Sequence, residues 1–217
     1  MFQGVLNTSI LKRAVEKGKA TISIINLRDF GLGAHKTVDD KPYGGGVGMV
    51  LKVDVVHTAI KKAKEVNPNT KIILLDPRGT PYTQQVAENL SKEESITLIC
   101  GHYEGYDERI RTYVDMEISM GDFILTGGEI AAMAVIDSVV RLVPGVLGKD
   151  ESHMHESFSK TETGRILEHP HYTRPQIYDG KDVPEYALSG NHKDIAFSRN
   201  QEALNITNEK RPDLLKK

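Results

Sequence analysis

The sequence predicts an α/β fold with a mainly parallel sheet, followed by a small, mostly helical second module. Up to about Gly148, short β-branched apolar runs alternate with segments of helical periodicity. This alternation is typical of a parallel sheet covered by helices. After Gly148 the apolar periodicity stops and a polar stretch begins, so a second module is expected from there.

The predicted strands are residues 22–25 (ISII), 72–75 (IILL) and 96–99 (ITLI), because each run is compact, apolar and bounded by polar or turn residues. Asp54 is predicted to cap a helix that Asn67-Pro68 ends. The core face of this helix is predicted to consist of Val55, Val56, Ala59, Ile60, Ala63 and Val66.

The polar segment 149–165 has no apolar period and is interpreted as a linker or mobile loop. Beyond it come Pro170, Pro175 and Pro184, then a predicted helix after Asn191 and another near Arg211-Pro212. The predicted domains are therefore residues 1–148 and 168–217, joined by a flexible linker over residues 149–167.

Composition limits the function classes without choosing one. The 217 residues are 39% hydrophobic and 27% charged, which is ordinary for a globular protein. Cys100 is the single cysteine, so no internal disulfide can form, and no apolar run approaches the roughly 20 residues that cross a bilayer. The amino terminus lacks a signal-peptide layout, so a cytoplasmic protein is expected. A net charge of −2 argues mildly against a protein wrapped in nucleic acid but allows a local basic site.

Two glycine-containing turns are candidate ligand contacts. Residues 43–48 (YGGGVG) lack the Gly-Lys-Ser/Thr of a P-loop and the spacing of a dinucleotide fingerprint. Taken alone, they are explained by a flexible turn or by a backbone that approaches a ligand. Residues 75–79 (LDPRG) follow a predicted strand, where open α/β sheets bind ligands, although Asp-Pro-x-Gly is also a plain β-turn.

Two further segments favour a binding site. Residues 100–109 (CGHYEGYDER) follow a strand and combine glycines, tyrosines and charges, which indicates a polar, tightly turned site. Cys100 itself is expected to be buried and structural. Residues 117–129 (EISMGDFILTGGE) mix glycines with apolar residues before a helix that runs through Arg141. They would suit a flat heteroaromatic ring, or they form only a tight strand–helix connection.

The remaining motifs are an arginine and a group of histidines. Arg141 lies among apolar residues at the predicted helix end, where it balances the helix dipole or meets negative charge in a site. His153, His155 and Glu156 form an HxHE sequence, and His169 and His171 an HPH sequence. Neither has a standard metal-ligand layout and the only thiol is remote, so no metal site is predicted.

Together these segments resemble the bacterial tRNA (guanine-N1)-methyltransferases of the TrmD type, a branch of the knotted SPOUT methyltransferase superfamily. Each motif is weak or moderate alone, whereas the ordered set is highly specific. The resemblance runs from about Thr8 to Leu215 and is carried by residues 38–49 (VDDKPYGGGVGM), 100–110 (CGHYEGYDERI), 117–129 (EISMGDFILTGGE), 137–148 (DSVVRLVPGVLG), 169–175 (HPHYTRP) and 188–192 (LSGNH).

The resemblance implies helices on both faces of the sheet, a deep trefoil knot and a homodimer that shares its active sites. It implies S-adenosylmethionine bound in a bent conformation among three loops, and a target guanine at tRNA position 37, beside the anticodon and preceded by guanine 36. The cofactor-binding residues implied in this way are Leu75, Asp76, Pro77, Gly79, Gly101, Tyr103, Glu104, Gly105, Ser119, Met120, Gly121, Asp122, Phe123, Ile124, Leu125, Gly127 and Gly128.

The family's chemistry assigns two catalytic residues. Guanine N1 carries a proton at neutral pH, so a carboxylate must remove it while a cation stabilises charge that develops on O6. The family's arginine matches Arg141, and its catalytic aspartate matches Glu156. Glu156 keeps the carboxylate with one extra methylene, and we expect it to remain the base. The family also leads us to expect a dependence on Mg²⁺.

Alternatives to the active enzyme are a homologue that binds RNA and cofactor without catalysis, and a knotted methyltransferase acting on another RNA base. Relatives begin with a further strand and extend beyond Leu215, so the tRNA-binding domain is expected to be shortened. His192 is a candidate contact to the target base. Candidate phosphate contacts are Lys160, Arg165, Arg174, Lys193 and Arg199, although a solvated charged face explains them nearly as well.

Overall fold

A computed structural model describes residues 1–148 and 156–215. The chain divides into two compact units, residues 1–148 and 149–217. Each unit contains its own short sheets and helices. Within the described ranges, no helix is both long enough and apolar enough to cross a membrane.

The first unit contains a three-stranded parallel sheet. Strand β3 (Lys71–Pro81) lies in the centre, with β4 (Ile96–Ile99) and β5 (Met116–Ser119) on either side, and both neighbours run parallel to it. Residues 72–75 and 96–99 are therefore strands as the sequence predicts, and the predicted parallel pairing is confirmed.

Alternate residues of β3 build two core layers because successive side chains of a strand point to opposite faces. Ile72 and Leu74 pack against helix α3 (Val53–Val66). Ile73 and Leu75 pack on the other face against helices α4 (Gln84–Leu90) and α5 (Glu129–Val140). Ile72, Ile73 and Leu74 are completely buried, so each contributes roughly 1.5–3 kcal/mol of hydrophobic stabilisation.

Helix α3 confirms the predicted end at Asn67 but not the predicted cap. Lys52 occupies the N-cap position, and Asp54 lies in the first turn, where its Oδ1 accepts a hydrogen bond from the Val55 amide at 3.0 Å. In this position the negative carboxylate still interacts favourably with the positive end of the helix dipole. Five predicted core-face residues are buried, whereas Val66 is 75% exposed because it lies at the last, frayed position.

The prediction of a strand at residues 22–25 is wrong. These residues follow helices α1 (Phe2–Leu6) and α2 (Ser9–Glu16), and they form no ladder with any strand of the described residues. Ile24 is 58% exposed, so a β-branched run without a neighbour to pair with stays irregular. A 3₁₀ helix (Leu27–Phe30) follows, and then the short hairpin of β1 (Asp39–Asp40) and β2 (Val50–Leu51).

Residues 75–79 are not a free β-turn, because they lie within β3. The pairing register between β3 and β5 shifts between Leu75 and Thr80, and the strand then continues to Pro81. Such an irregularity bends a strand and turns its side chains locally. The bulge places Asp76 and Pro77 beside the carboxyl ends of the neighbouring strands.

The second unit combines two hairpins with one long helix. β6 (Ser159–Thr161) pairs with β7 (Gly164–Ile166), and β8 (Ile177–Tyr178) pairs with β9 (Lys181–Asp182). The interpretation of residues 149–165 as a linker is thus wrong from residue 159 onward. The error arises because these strands are short and polar and carry no apolar alternation.

Helix α6 (Glu185–Leu188) precedes α7 (His192–Lys210), the main element of the unit. The helix predicted after Asn191 is confirmed, and the Asn191 side chain caps it by accepting a hydrogen bond from the Lys193 amide at 3.2 Å. The helix predicted near Arg211-Pro212 is only a single 3₁₀ turn (Pro212–Leu214).

Candidate cofactor-binding site

The carboxyl ends of the three parallel strands surround a cavity of about 290 Å³. Its walls are the bulge of β3, the loop after β4 and the loop that joins β5 to α5. Most of the residues that the sequence predicts to bind a cofactor line it, namely Leu75, Asp76, Pro77, Gly101, Tyr103, Glu104, Gly105, Ser119, Met120, Gly121, Phe123, Ile124, Leu125, Gly127 and Gly128. Their binding of a cofactor stays a prediction.

Gly79 and Asp122 were also predicted to bind the cofactor but do not line the cavity. A Cβ at Gly79 would lie 2.4 Å from the Ile118 amide nitrogen, so this glycine permits close packing of β3 on β5 instead. Asp122 is exposed.

Sequence reasoning missed five lining residues: His102, Tyr106, Ile118, Thr126 and Ala131. Four of them lie within motifs whose other members were predicted to bind the cofactor, so the motifs themselves were the available signal. Ala131 belongs to the first turn of α5 and has no distinguishing feature in the sequence.

Two loops meet backbone to backbone at one wall of the cavity. The Gly128 amide donates a hydrogen bond to the Gly101 carbonyl at 2.8 Å. A Cβ at Gly128 would lie 2.7 Å from both Cys100 Cα and the Gly101 amide nitrogen. Real Cβ contacts essentially never come so close, so only glycine allows the amino terminus of α5 to reach the loop after β4.

Tyr106 lines the cavity and connects two strands through hydrogen bonds. Its hydroxyl lies 3.2 Å from the Leu75 carbonyl oxygen and 3.1 Å from the Ile99 carbonyl oxygen, which end the apolar parts of β3 and β4. Burial raises the pKa of the Tyr106 phenol well above its usual range, so the group stays a neutral donor. A Cβ at Gly101 would lie 2.6 Å from this hydroxyl, which explains the glycine there.

A charged network holds the bulge of β3 in place. Arg111 donates to Asp76 Oδ2 at 2.9 Å and also pairs with Glu117 and with Glu108. Asp76 Oδ1 accepts a hydrogen bond from the Arg78 amide at 2.8 Å. The side chains of Asp76 and Arg111 are 10% and 15% exposed, so each needs its partner to offset the cost of burial.

The glycine-rich segment lies against the loop after β4. The Glu104 amide donates to the Met49 carbonyl at 3.0 Å, and the Leu51 amide donates to the Gly105 carbonyl at 2.9 Å. A Cβ at Gly48 would lie 2.4 Å from Glu104 Cγ, and the φ of Gly48 is +88°. Residues 43–48 therefore form an exposed turn whose end contacts a cavity-lining loop.

Cys100 lies beside the cavity without lining it. Desolvation by burial, followed by the nearby Glu129 carboxylate, raises the pKa of the thiol to about 12. The thiolate is the nucleophilic form of cysteine, and it is absent at neutral pH with such a pKa. This agrees with the structural role expected from the sequence.

The two predicted catalytic residues fall in different units. Arg141 is the C-cap residue of α5 in the first unit, and Glu156 precedes β6 in the second, where its carbonyl accepts a hydrogen bond from the Ser159 amide at 3.0 Å. His153 and His155 lie outside the described residues. The catalytic roles of Arg141 and Glu156 stay predictions.

Four of the five candidate phosphate contacts are exposed: Lys160, Arg174, Lys193 and Arg199. Arg165 is half-buried, and its Nη1 donates to the Phe158 carbonyl at 2.6 Å. This bond occupies a guanidinium donor inside the unit, so Arg165 is the poorest of the five candidates. His192 is the first residue of α7 and is exposed.

A family model described as tRNA (Guanine-1)-methyltransferase TrmD matches residues 1–217. The chain belongs to this family. A relative named tRNA (guanine-N(1)-)-methyltransferase from Bacillus velezensis is 56% identical over 218 residues, covering 100% of this chain and 88% of the relative.

Relatives with the same name from Citrifermentans bemidjiense and Geobacillus kaustophilus are 53% and 55% identical over 216 residues. Each alignment covers 99% of this chain, with 85% and 87% of the respective relative. The resemblance drawn from the ordered motifs is thus confirmed.

Proposed function

We propose that this chain is a methyltransferase that moves a methyl group from S-adenosylmethionine to N1 of guanine 37 in tRNA, next to guanine 36. The observation that carries the proposal is the meeting of three motif loops at one cavity, in a chain that matches the family over residues 1–217. The relatives' names supply the methyl acceptor class.

The cavity's composition supports S-adenosylmethionine as the ligand. Met120, Phe123, Ile124 and Leu125 provide apolar walls for a flat ring, and the surrounding glycines leave backbone amides and carbonyls accessible. Glu104 also lines the cavity, and its negative charge favours a ligand with a positive centre. S-adenosylmethionine supplies an electrophilic methyl group attached to such a centre, a sulfonium.

Two residues of the chain are proposed to act on the guanine. The Glu156 carboxylate removes the N1 proton, and the freed electron pair forms the bond to the methyl carbon as the bond to sulfur breaks. Sulfur retains the electron pair of the broken bond. The Arg141 guanidinium stabilises the negative charge that develops on O6, because a preorganised cation is effective where charge appears in the transition state.

The remaining parts of the proposal concern assembly and the tRNA. Residues 1–148 form the knotted cofactor domain. Residues 168–217 bind tRNA through exposed cations such as Lys193, and Lys160 of the preceding hairpin adds a further phosphate contact. The enzyme acts as a homodimer with shared sites, in the cytoplasm. Mg²⁺ dependence stays a prediction.

Radiolabelled methyl transfer to tRNA transcripts tests the reaction and its target together. We expect label in a transcript with guanine at positions 36 and 37, and little or none when either guanine is replaced. Binding of cofactor without label in any transcript would instead indicate a catalytically impaired homologue. Label independent of position 37 would indicate a different target base.

Substitution of Glu156 tests the base. Glu156→Gln keeps the side-chain length but cannot accept the proton, so we expect a loss of about 10²–10⁴-fold in the methylation rate, the typical contribution of general base catalysis. Glu156→Asp, which keeps the carboxylate, is the matched control and should retain measurable turnover. Full activity of Glu156→Gln would exclude this residue as the base.

A further inference from the structure

Glu168, His169 and His171 of the second unit bring three metal-ligating side chains to one place outside the cavity of the first unit. One ring nitrogen of each histidine and a Glu168 carboxylate oxygen all lie within 4.8 Å of one another. The sequence predicts no metal site, because HPH lacks a standard metal-ligand layout and the only thiol is remote. The fold adds the neighbouring carboxylate as a third ligand.

The backbone before this cluster is fixed on two sides. The Leu167 amide donates to Thr207 Oγ1 at 2.8 Å, and the Glu168 amide donates to Ser157 Oγ at 3.0 Å. Thr207 is completely buried in α7 and also donates to the Ala203 carbonyl at 2.6 Å. Pro170 restricts the chain between the two histidines. The ligands are thus held near one another before any ion binds.

The backbone orients the ring of one histidine. His169 Nδ1 lies 2.9 Å from the Pro170 carbonyl oxygen. A carbonyl only accepts, so Nδ1 carries the proton and Nε2 keeps its lone pair. Metal-ligating histidines commonly donate their other ring N–H to a backbone carbonyl, which orients the ring. The rings of His169 and His171 are 4.5 Å apart between centroids.

The ligand set matches a borderline divalent cation. His171 Nε2 lies 2.7 Å from Glu168 Oε1, and tetrahedral Zn²⁺ with bonds of about 2.0–2.1 Å separates its ligand atoms by about 3.3 Å. Small side-chain rotations would therefore bring the three atoms to bonding positions. The His171 side chain is 62% exposed, so an ion can enter from solvent and keep a water as its fourth ligand. Two histidines, a carboxylate and a water form an established zinc ligand set.

We propose that Glu168, His169 and His171 form a Zn²⁺-binding site in the second unit. None of these three residues is assigned a role in the proposed methyl-transfer chemistry. The bound ion would hold the three side chains of the segment after β7 together and so stabilise the local conformation of that segment. The competing explanation is an ion pair between Glu168 and His171 with no affinity for metal.

Zn²⁺ titration of the full chain against a chromophoric chelator measures the stoichiometry and affinity directly. We expect one Zn²⁺ per chain, and with Co²⁺ we expect the visible absorption bands of a tetrahedral complex. His171→Gln and Glu168→Gln should each weaken Zn²⁺ binding by about a hundredfold or more, because even changes outside the ligand shell cost about 10–100-fold.

Two controls decide where the ion binds. His35→Gln removes an exposed histidine of the first unit, and the double variant His153→Gln/His155→Gln removes the other histidine pair. Both should bind Zn²⁺ like the unchanged chain, and circular dichroism checks that every variant is folded. The proposal is overturned if the unchanged chain binds no Zn²⁺, if His171→Gln binds it equally well, or if the His153/His155 variant loses it. None of these results depends on methyl transfer.

Discussion

Gly128→Ala should disrupt the cavity by separating the two loops that meet at its wall. The added Cβ would lie 2.7 Å from Cys100 Cα and from the Gly101 amide nitrogen, whereas ordinary contact begins at 3.4 Å. The backbones must therefore separate by about 0.7 Å (3.4 Å minus 2.7 Å). Both obstructing atoms are backbone, so no side chain can rotate away.

The free-energy cost of Gly128→Ala is estimated from overpacking, which costs about 1–3 kcal/mol for an added methyl group in a tightly packed site. The Gly128 amide also donates to the Gly101 carbonyl at 2.8 Å, and a shift of this size strains that bond. If the ligand binds only the closed arrangement, its apparent affinity falls with the population of that arrangement. The expected loss is about 5- to 140-fold, at about 1.4 kcal/mol per tenfold.

Calorimetric titration with S-adenosylhomocysteine, the product of the proposed reaction, measures this loss. Gly4→Ala is the matched control, because a Cβ there meets nothing within 4 Å, and its affinity should equal that of the unchanged chain. Thermal unfolding establishes that Gly128→Ala is folded at the assay temperature. An unchanged affinity in folded Gly128→Ala would refute the requirement for close backbone contact.

Three further perturbations test the packing around the cavity and in the second unit. Tyr106→Phe should lower the free energy of unfolding, measured in urea titrations, by about 0.5–1.5 kcal/mol because the hydroxyl hydrogen bonds are lost. Tyr178→Phe is the control and should leave the free energy of unfolding unchanged, because Tyr178 is 74% exposed. Thr207→Val leaves the Leu167 amide without its acceptor and should cost about 1–3 kcal/mol in the same assay. Because burial raises the pKa of Cys100 from 9.0 to about 12, the unfolded chain loses this proton first as pH rises. Stability should therefore fall above about pH 9, and Cys100→Ala should show a smaller fall; equal falls in both proteins would contradict this.

The part of the fold that the sequence predicts well is the part that local patterns determine. The run 72–75 is apolar on both faces because both faces of β3 are covered by helices. The run 22–25 has the same β-branched character, yet it is not a strand in the described residues. Strand formation depends on a pairing neighbour, which is a non-local property that a single run does not contain.

The candidate site likewise contains residues that the sequence could predict and residues that it could not. Glycines and charges cluster in the motif after β4, so that loop could be selected from the sequence. Ala131 could not, because an alanine on a helix carries no signal of the cavity beside it. The bulge within β3 could not be predicted either, since its register shift at Leu75 arises from pairing with β5. The polar hairpin of β6 and β7 was missed for lack of apolar alternation.

The arrangement of charge around the cavity also bears on which carboxylate serves as the base. Asp76 lines the cavity and is nearly buried, but both of its oxygens are engaged, one by Arg111 and the other by the Arg78 amide. These contacts tie the Asp76 carboxylate to the chain on both sides of the bulge, so its role is to hold the bulge of β3. We therefore expect Asp76→Asn to impair stability and cofactor affinity together, and Glu156→Gln to impair turnover while cofactor affinity is kept. Equal effects of the two substitutions on affinity would contradict this division of roles.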